Sequence, residues 1–142
     1  MHVLFERADR LSRDVIGAAI EVHRIKGPGL IESIYERCLM HELRLRRMDA
    51  VNQCLVKIDY KGITFEETLR FDLLVENCLL LELKSVQNVL PVHQAQLLSY
   101  MKLLDIPVGL LINFHEMKLK DGLTRMMLPG ANQVGSDQTQ KN

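Results

Sequence analysis

Apolar residues recur at two different periods along the chain. Leu11, Val15, Ile16, Ala19, Ile20 and His23 repeat at helical spacing, which predicts a helix over Phe5–His23. Lys26-Gly27-Pro28-Gly29 breaks it. A second helix is expected over Ile31–Met48, with Ile34, Leu39, Leu43 and Leu45 on its apolar side and Arg37, Arg44, Arg46 and Arg47 making the rest basic. The period then shortens to two. Val56, Ile58 and Tyr60 alternate within a strand predicted over Val51–Tyr60, and Lys61-Gly62 is a turn signal. Strands over Ile63–Val75 and Cys78–Lys84 follow, separated by Glu76-Asn77. The leucine-rich run into Lys84 predicts a strand covered on both faces. Pro91 is suited to open a third helix to Leu104, with Leu97, Leu98, Met101 and Leu104 inward. Strands over Val108–Asn113 and Leu123–Leu128 complete the pattern. The order is helix, helix, three antiparallel strands, helix, strand, strand: an α/β fold whose meander and single crossover helix give a mixed sheet. Residues 1–128 read as one domain, and the polar stretch 129–142 as a disordered tail.

Composition changes this picture little. Apolar residues make up 47% of the 142 positions and charged residues 25%, the balance of an ordinary globular domain. Lys and Arg total 18, as do Asp and Glu, so nucleic-acid binding would need local positive charge, weak binding or a partner's surface. Apolar runs are too short for a membrane span, and the charged N-terminus is unlike a signal peptide. Cys38, Cys54 and Cys78 form no CxxC pair, and they read as three reduced, buried thiols in a cytoplasmic protein.

Chemistry concentrates where charge enters apolar strands. In Leu79-Leu80-Leu81-Glu82-Leu83-Lys84, Glu82 and Lys84 are two apart and share a face. Burying them costs several kcal/mol per ion, roughly, unless they are paired or bind metal. Asp72, in Phe71-Asp72-Leu73-Leu74-Val75, is the next such charge, and the intervening turn decides whether it meets them. A two-residue loop at Glu76-Asn77 would oppose Asp72 to Leu81, on the wrong face. A three-residue loop, Val75-Glu76-Asn77, opposes Leu74 to Cys78 and Asp72 to Leu80, and all three charges then share a face. The three-residue loop is expected, since Asn tolerates the left-handed conformation it needs. Two carboxylates and a lysine suit a hard cation such as Mg²⁺, with the lysine beside the attacking water. A structural ion pair of Lys84 with Asp72 or Glu82 is the alternative use of the same residues.

Two helical features accompany this triplet. His93, Gln96 and Tyr100 fall on one stripe of the third helix, and Gly29-x-x-Glu32-x-x-Tyr35 puts Glu32 and Tyr35 near the start of the second. Plain solvent exposure of His93, and a dipole-favoured acid at Glu32, are the structural alternatives.

Taken in order, these pieces resemble the GxxExxY protein family within the PD-(D/E)XK nuclease superfamily, over roughly Leu11 to Leu128. The matching segments are Gly29, Glu32 and Tyr35; Arg70 to Val75; Glu82-Leu83-Lys84; Gln96 to Tyr100; and Gly109 to Phe114. The Gln96-x-x-x-Tyr100 element is similar to that of RecB-like nucleases. The resemblance implies a restriction-endonuclease-like fold and a Mg²⁺-dependent nuclease, with Mn²⁺ as a substitute and DNA ahead of RNA as substrate. It implies Asp72, Glu82 and the Leu83 carbonyl as metal ligands, Lys84 serving the water, and Glu32 completing the acidic cluster. Gln96 and Tyr100, with Tyr35 and His93, would position substrate. Phe71 stands where a proline is usual, and neither side chain is a ligand. The competing readings are a non-catalytic nucleic-acid- or protein-binding module and a subunit of a larger assembly. A homodimer or protein partner would follow by analogy, since two sites can cut two strands.

Overall fold

A computed structural model of the chain describes residues 1–133. Three helices and a five-stranded mixed sheet form an α/β fold consistent with the restriction-endonuclease-like architecture. The elements are α1 (Phe5–Lys26), α2 (Glu32–Leu45), β1 (Ala50–Tyr60), β2 (Ile63–Val75), β3 (Leu79–Lys84), α3 (Pro91–Leu104), β4 (Val108–Asn113) and β5 (Leu123–Met127). The order departs from expectation by one element, a short 3₁₀ helix (Leu119–Gly122) before β5, seated by the buried Leu119. Spatial order follows chain order, β1 to β5. All neighbours are antiparallel except β3 and β4, which the α3 crossover makes parallel.

The sheet separates two cores. On one face Leu73, Val75, Leu79, Leu81, Leu83, Val108, Leu110 and Ile112 pack under α1 and α2. On the other, Phe71, Leu74, Leu80 and Leu111 meet Leu97 and Met101 of α3. Strict alternation explains β3 and β4. Gly109 faces α3, where an added Cβ would lie 2.6 Å from the Met101 sulfur, so a glycine there lets helix and strand close together.

Three expected core positions are exposed: Ile20 at 46%, Ile34 at 36% and Leu45 at 65%. The buried stripe of α1 runs instead through Ala8, Ser12, Val15, Ala18, Ala19, Val22 and His23, whose small residues let α2 approach. Only Cys78 is fully buried among the three free thiols, Cys38 and Cys54 being partly exposed. The expected tail begins at Pro129, but Ala131 is buried and its carbonyl accepts the His2 N–H at 2.9 Å. Its remainder, 134–142, lies outside the described residues. Among the described residues no helix is long and apolar enough to cross a membrane.

Candidate functional site

The β2–β3 turn sets the position of the first acid. Glu76 and Asn77 both adopt positive φ (51° and 56°), and the Cys78 N–H closes the turn onto the Val75 carbonyl at 3.0 Å. Cys78 is left out of the ladder, so Val75 pairs with Leu79, Leu74 with Leu80 and Leu73 with Leu81. The three-residue connection is therefore Glu76-Asn77-Cys78, one position later than expected. Its length is still odd, so Asp72 keeps the parity of Glu82 and Lys84. A positive φ is unfavourable for Glu. The Glu76 carboxylate compensates by accepting from Arg7 and from the Asp49 N–H, both at 2.6 Å.

A second irregularity acts on Asp72 itself. Val51 pairs with Leu74 but Gln53 with Arg70, so Asn52 alone faces Phe71, Asp72 and Leu73. This bulge lets Phe71 and Leu74, three apart, enter the same core, and it frees Asp72 from the ladder. The Asp72 carboxylate accepts the Leu83 N–H at 2.6 Å. The Lys84 carbonyl bonds toward β4, accepting the Phe114 N–H at 2.7 Å. Alternate residues of a strand present their backbone groups to opposite edges, so the Leu83 carbonyl leaves on the Asp72 side.

Glu82 and Lys84 lie side by side, with Nζ 3.3 Å from Oε2 and side chains only 13% and 16% exposed. From α2, Glu32 accepts the Ser85 N–H at 3.2 Å, which ties the helix start to the end of β3. Glu36, one turn further, stands beside Asp72 closely enough for their carboxyls to share a hydrogen bond. Burial pushes Asp72 above the usual carboxylate range, reinforced by the charge of Glu32 and opposed by the Leu83 N–H, Lys84 and Glu36. Burial also raises Glu82, with the Asp72 charge next in weight and Lys84 opposing. Glu36 is raised by the same two causes, burial and then Asp72. Four acids thus crowd one ammonium group, and the raised proton affinities of Asp72, Glu82 and Glu36 record a deficit of positive charge.

That deficit decides whether a cation fits. Among the described residues no three His, Cys, Asp or Glu side chains form a ready-made metal cage. Mg²⁺ and Mn²⁺ do not require one: Mg²⁺ is commonly held by one or two carboxylates, retaining waters and taking oxygens from a phosphate. Asp72, Glu82 and the Leu83 carbonyl, all hard oxygen donors, suit that manner of binding.

A family model for the PD-(D/E)XK nuclease superfamily matches residues 9–126. The chain belongs to the PD-(D/E)XK nuclease superfamily. No curated protein and no solved structure matches it. For a member of this superfamily, the shared position of Asp72, Glu82 and Lys84 is the arrangement of interest.

The structure brings Asp72, Glu82, Lys84 and Glu32 together, but not every residue grouped with them by sequence. Tyr35 is fully buried, stacked on Phe114 with ring centroids 4.3 Å apart. Its hydroxyl donates to the Gly27 carbonyl at 2.5 Å and accepts the Leu30 N–H at 2.9 Å, closing the loop before α2. Tyr35 is thus a loop anchor that offers no free group to a substrate. His93 uses Nδ1 to accept the Leu90 N–H at 3.1 Å, capping α3. Gln96 is exposed, while Tyr100 is half-buried against the α3-side core.

Two participants escaped sequence reasoning. Glu36 was signalled by its i, i+4 spacing from Glu32. Asn113, buried at the end of an otherwise apolar strand, accepts the Val86 N–H at 3.1 Å and donates to the Val86 carbonyl at 2.8 Å. It fastens the segment that follows Lys84. A polar residue closing the run Val108–Ile112 was the available signal.

Proposed function

We propose that this superfamily member is a divalent-metal-dependent nuclease that hydrolyses phosphodiester bonds, with DNA ahead of RNA as substrate. The observation that carries the reading is the excess of buried carboxylate around Lys84. Such a cluster is costly in the free protein and suits a site completed by a cation.

Asp72 and Glu82 would hold Mg²⁺ or Mn²⁺, with the Leu83 carbonyl as a third donor and Glu32 closing the acidic side. When bound, the ion supplies positive charge against the phosphoryl oxygens and the entering water. The Lys84 ammonium orients that water and offsets charge developing on the phosphate. Its pairing with Glu82 keeps it aimed into the cluster. Gln96 and Tyr100, on the helix covering the same sheet face, would contact the substrate strand. His93 steadies the first turn of that helix.

The surface beside the acids supports a polyanionic substrate. A cleft lined by Asp72, Phe71, Arg70, Asn52 and Glu36 adjoins a groove that shares Asn52 and Glu36. Arg37, His41 and Arg44 continue that groove along α2. Arg37, Arg44 and Arg70 are exposed and take part in none of the protein's ion pairs among the described residues. Net charge is zero, yet cations lie beside the acids, as backbone phosphates require.

A screen of single- and double-stranded DNA and RNA with Mg²⁺ or Mn²⁺, using wild type and Lys84→Ala, tests the reading. Metal-dependent cleavage by wild type and its loss in the variant are expected. No cleavage of any substrate by wild type would overturn it in favour of a binding module.

A further inference from the structure

Of the two edge strands of the sheet, β1 is the longer, with eleven residues against five in β5. Among the described residues, β2 is its neighbour on one side and no strand lies on the other. Among the described residues, no backbone hydrogen bond outside the β1–β2 ladder involves residues 50–60. Every second residue of an eleven-residue strand therefore turns an N–H and a carbonyl outward without a protein partner. Such an edge is a template for another strand unless charge or shape prevents pairing.

The side chains on this edge are patterned. Directly opposed residues of an antiparallel pair share a face. Cys54 and Leu69, Val56 and Glu67, Ile58 and Phe65, Tyr60 and Ile63 form one largely apolar face. At its far end Tyr60 is 61% exposed, Ile63 58% and Phe65 42%. The other face carries Leu55 with Thr68, Lys57 with Glu66, and Asp59 with Thr64.

We infer that β1 pairs antiparallel with β1 of a second copy of this chain, in a two-fold ladder centred on Ile58. Two-fold symmetry restricts the registers severely. Outward-turned residues must meet outward-turned residues, so the axis passes through a residue opposed to itself. Centring on Lys57 opposes two ammonium groups, and centring on Asp59 opposes two carboxylates. Centring on Val56 sets Lys57 against Leu55 and Asp59 against Gln53. Centring on Ile58 sets Lys57 against Asp59 twice, Val56 against Tyr60 twice, and Ile58 against itself. Only the last register matches both charges, and it joins the two apolar faces into one.

Neither charge is held in an ion pair among the described residues. Lys57 lies across from Glu66 on β2, but no ion pair within 4.0 Å joins them. Asp59 accepts the Thr64 hydroxyl on Oδ1 at 2.6 Å and keeps its second oxygen. A lysine in mid-edge guards a strand against indiscriminate pairing. An aspartate two residues on makes that guard self-complementary in a single register.

Sedimentation of the full chain over a concentration series tests the proposal, with circular dichroism to confirm that each exposed-site variant folds. Wild type should form a concentration-dependent dimer. Lys57→Glu and Asp59→Lys, alone, should each weaken it by about tenfold or more, since each opposes like charges twice. The double variant Lys57→Glu/Asp59→Lys should recover it. A wild type that stays monomeric to about millimolar concentration, or a dimer indifferent to the single substitutions, would overturn the pairing.

Discussion

The two faces of β3 are separated by one residue's step and behave as different materials. Toward α1 and α2, Leu79, Leu81 and Leu83 are each no more than 1% exposed. Toward α3 the face begins as core at Leu80, also 1% exposed, and then turns to Glu82 and Lys84. Residues on the first face are satisfied by what they touch within the fold. Those on the second are left in electrostatic debt, with acids whose proton affinity is raised by burial and by each other. The period of two thus divides labour within six residues. One set of alternate positions is core throughout, and the other passes from core at Leu80 to the charges on which the proposed activity rests.

Substitutions that act on one face and not the other test this division. Leu81→Ala should have the largest effect, a loss of about 2–5 kcal/mol in stability with cavity formation. Chemical denaturation measures it, and whatever remains folded should cleave like wild type. Lys84→Ala should do the reverse, reducing cleavage by about 10²–10³, or about 2.7–4 kcal/mol in barrier, in protein that stays folded with Mg²⁺. Steady-state cleavage and thermal unfolding of the same sample separate the two outcomes. Comparable stability losses at Leu81 and Lys84, with cleavage tracking folded fraction in both, would erase the distinction. Tyr35→Phe should cost about 1–3 kcal/mol, because it removes the partner of the Leu30 N–H and the Gly27 carbonyl. Its unfolding transition should shift, while substrate KM stays unchanged.

The smallest effect has the opposite sign. Asp72, Glu82 and Glu36 carry raised folded-state proton affinities, so their contribution to stability is full when they are protonated and is lost as pH rises through those raised values. In chelator at neutral pH, Asp72→Asn should therefore unfold at a higher temperature than wild type. The advantage should fade as pH falls toward the carboxylate range. With Mg²⁺ at 100 times its dissociation constant, wild type should gain about 2.7 kcal/mol. Asp72→Asn should gain less. Thermal scans in chelator and in Mg²⁺ across about pH 5–8 check both statements, and an Asp72→Asn less stable than wild type in chelator would contradict the assigned strain.

Much of the fold was legible because helix and strand periods differ and each persists over several residues. The parity of Asp72 was legible too, although the loop lies one residue later than expected. Parity depends only on whether the loop is odd, whereas its position depends on which residues adopt positive φ, and here Glu76 does so with support from Arg7 and Asp49. Tyr35 falls on the face of Glu32 because it lies three positions further along the helix. Its spacing of four from Leu39, and of eight from Leu43, marked it as core, and all three are buried. Glu36, four positions from Glu32, is the acid that joins it beside Asp72. The hold of Asn113 on Val86 was beyond local pattern, because it joins two segments 27 residues apart through a loop of no regular period.

The register of the β2–β3 hairpin also bears on how this sequence can drift. A one-residue slip of β2 along β3 would turn Asp72 away from Glu82 and Lys84, and in the same step it would send Leu73, Leu74 and Val75 to the wrong cores. A residue inserted within the turn itself can leave those pairs as they are. The alignment of the charges is therefore inherited with the alignment of the leucines, and a lineage that keeps both cores keeps Asp72 on the side of Glu82.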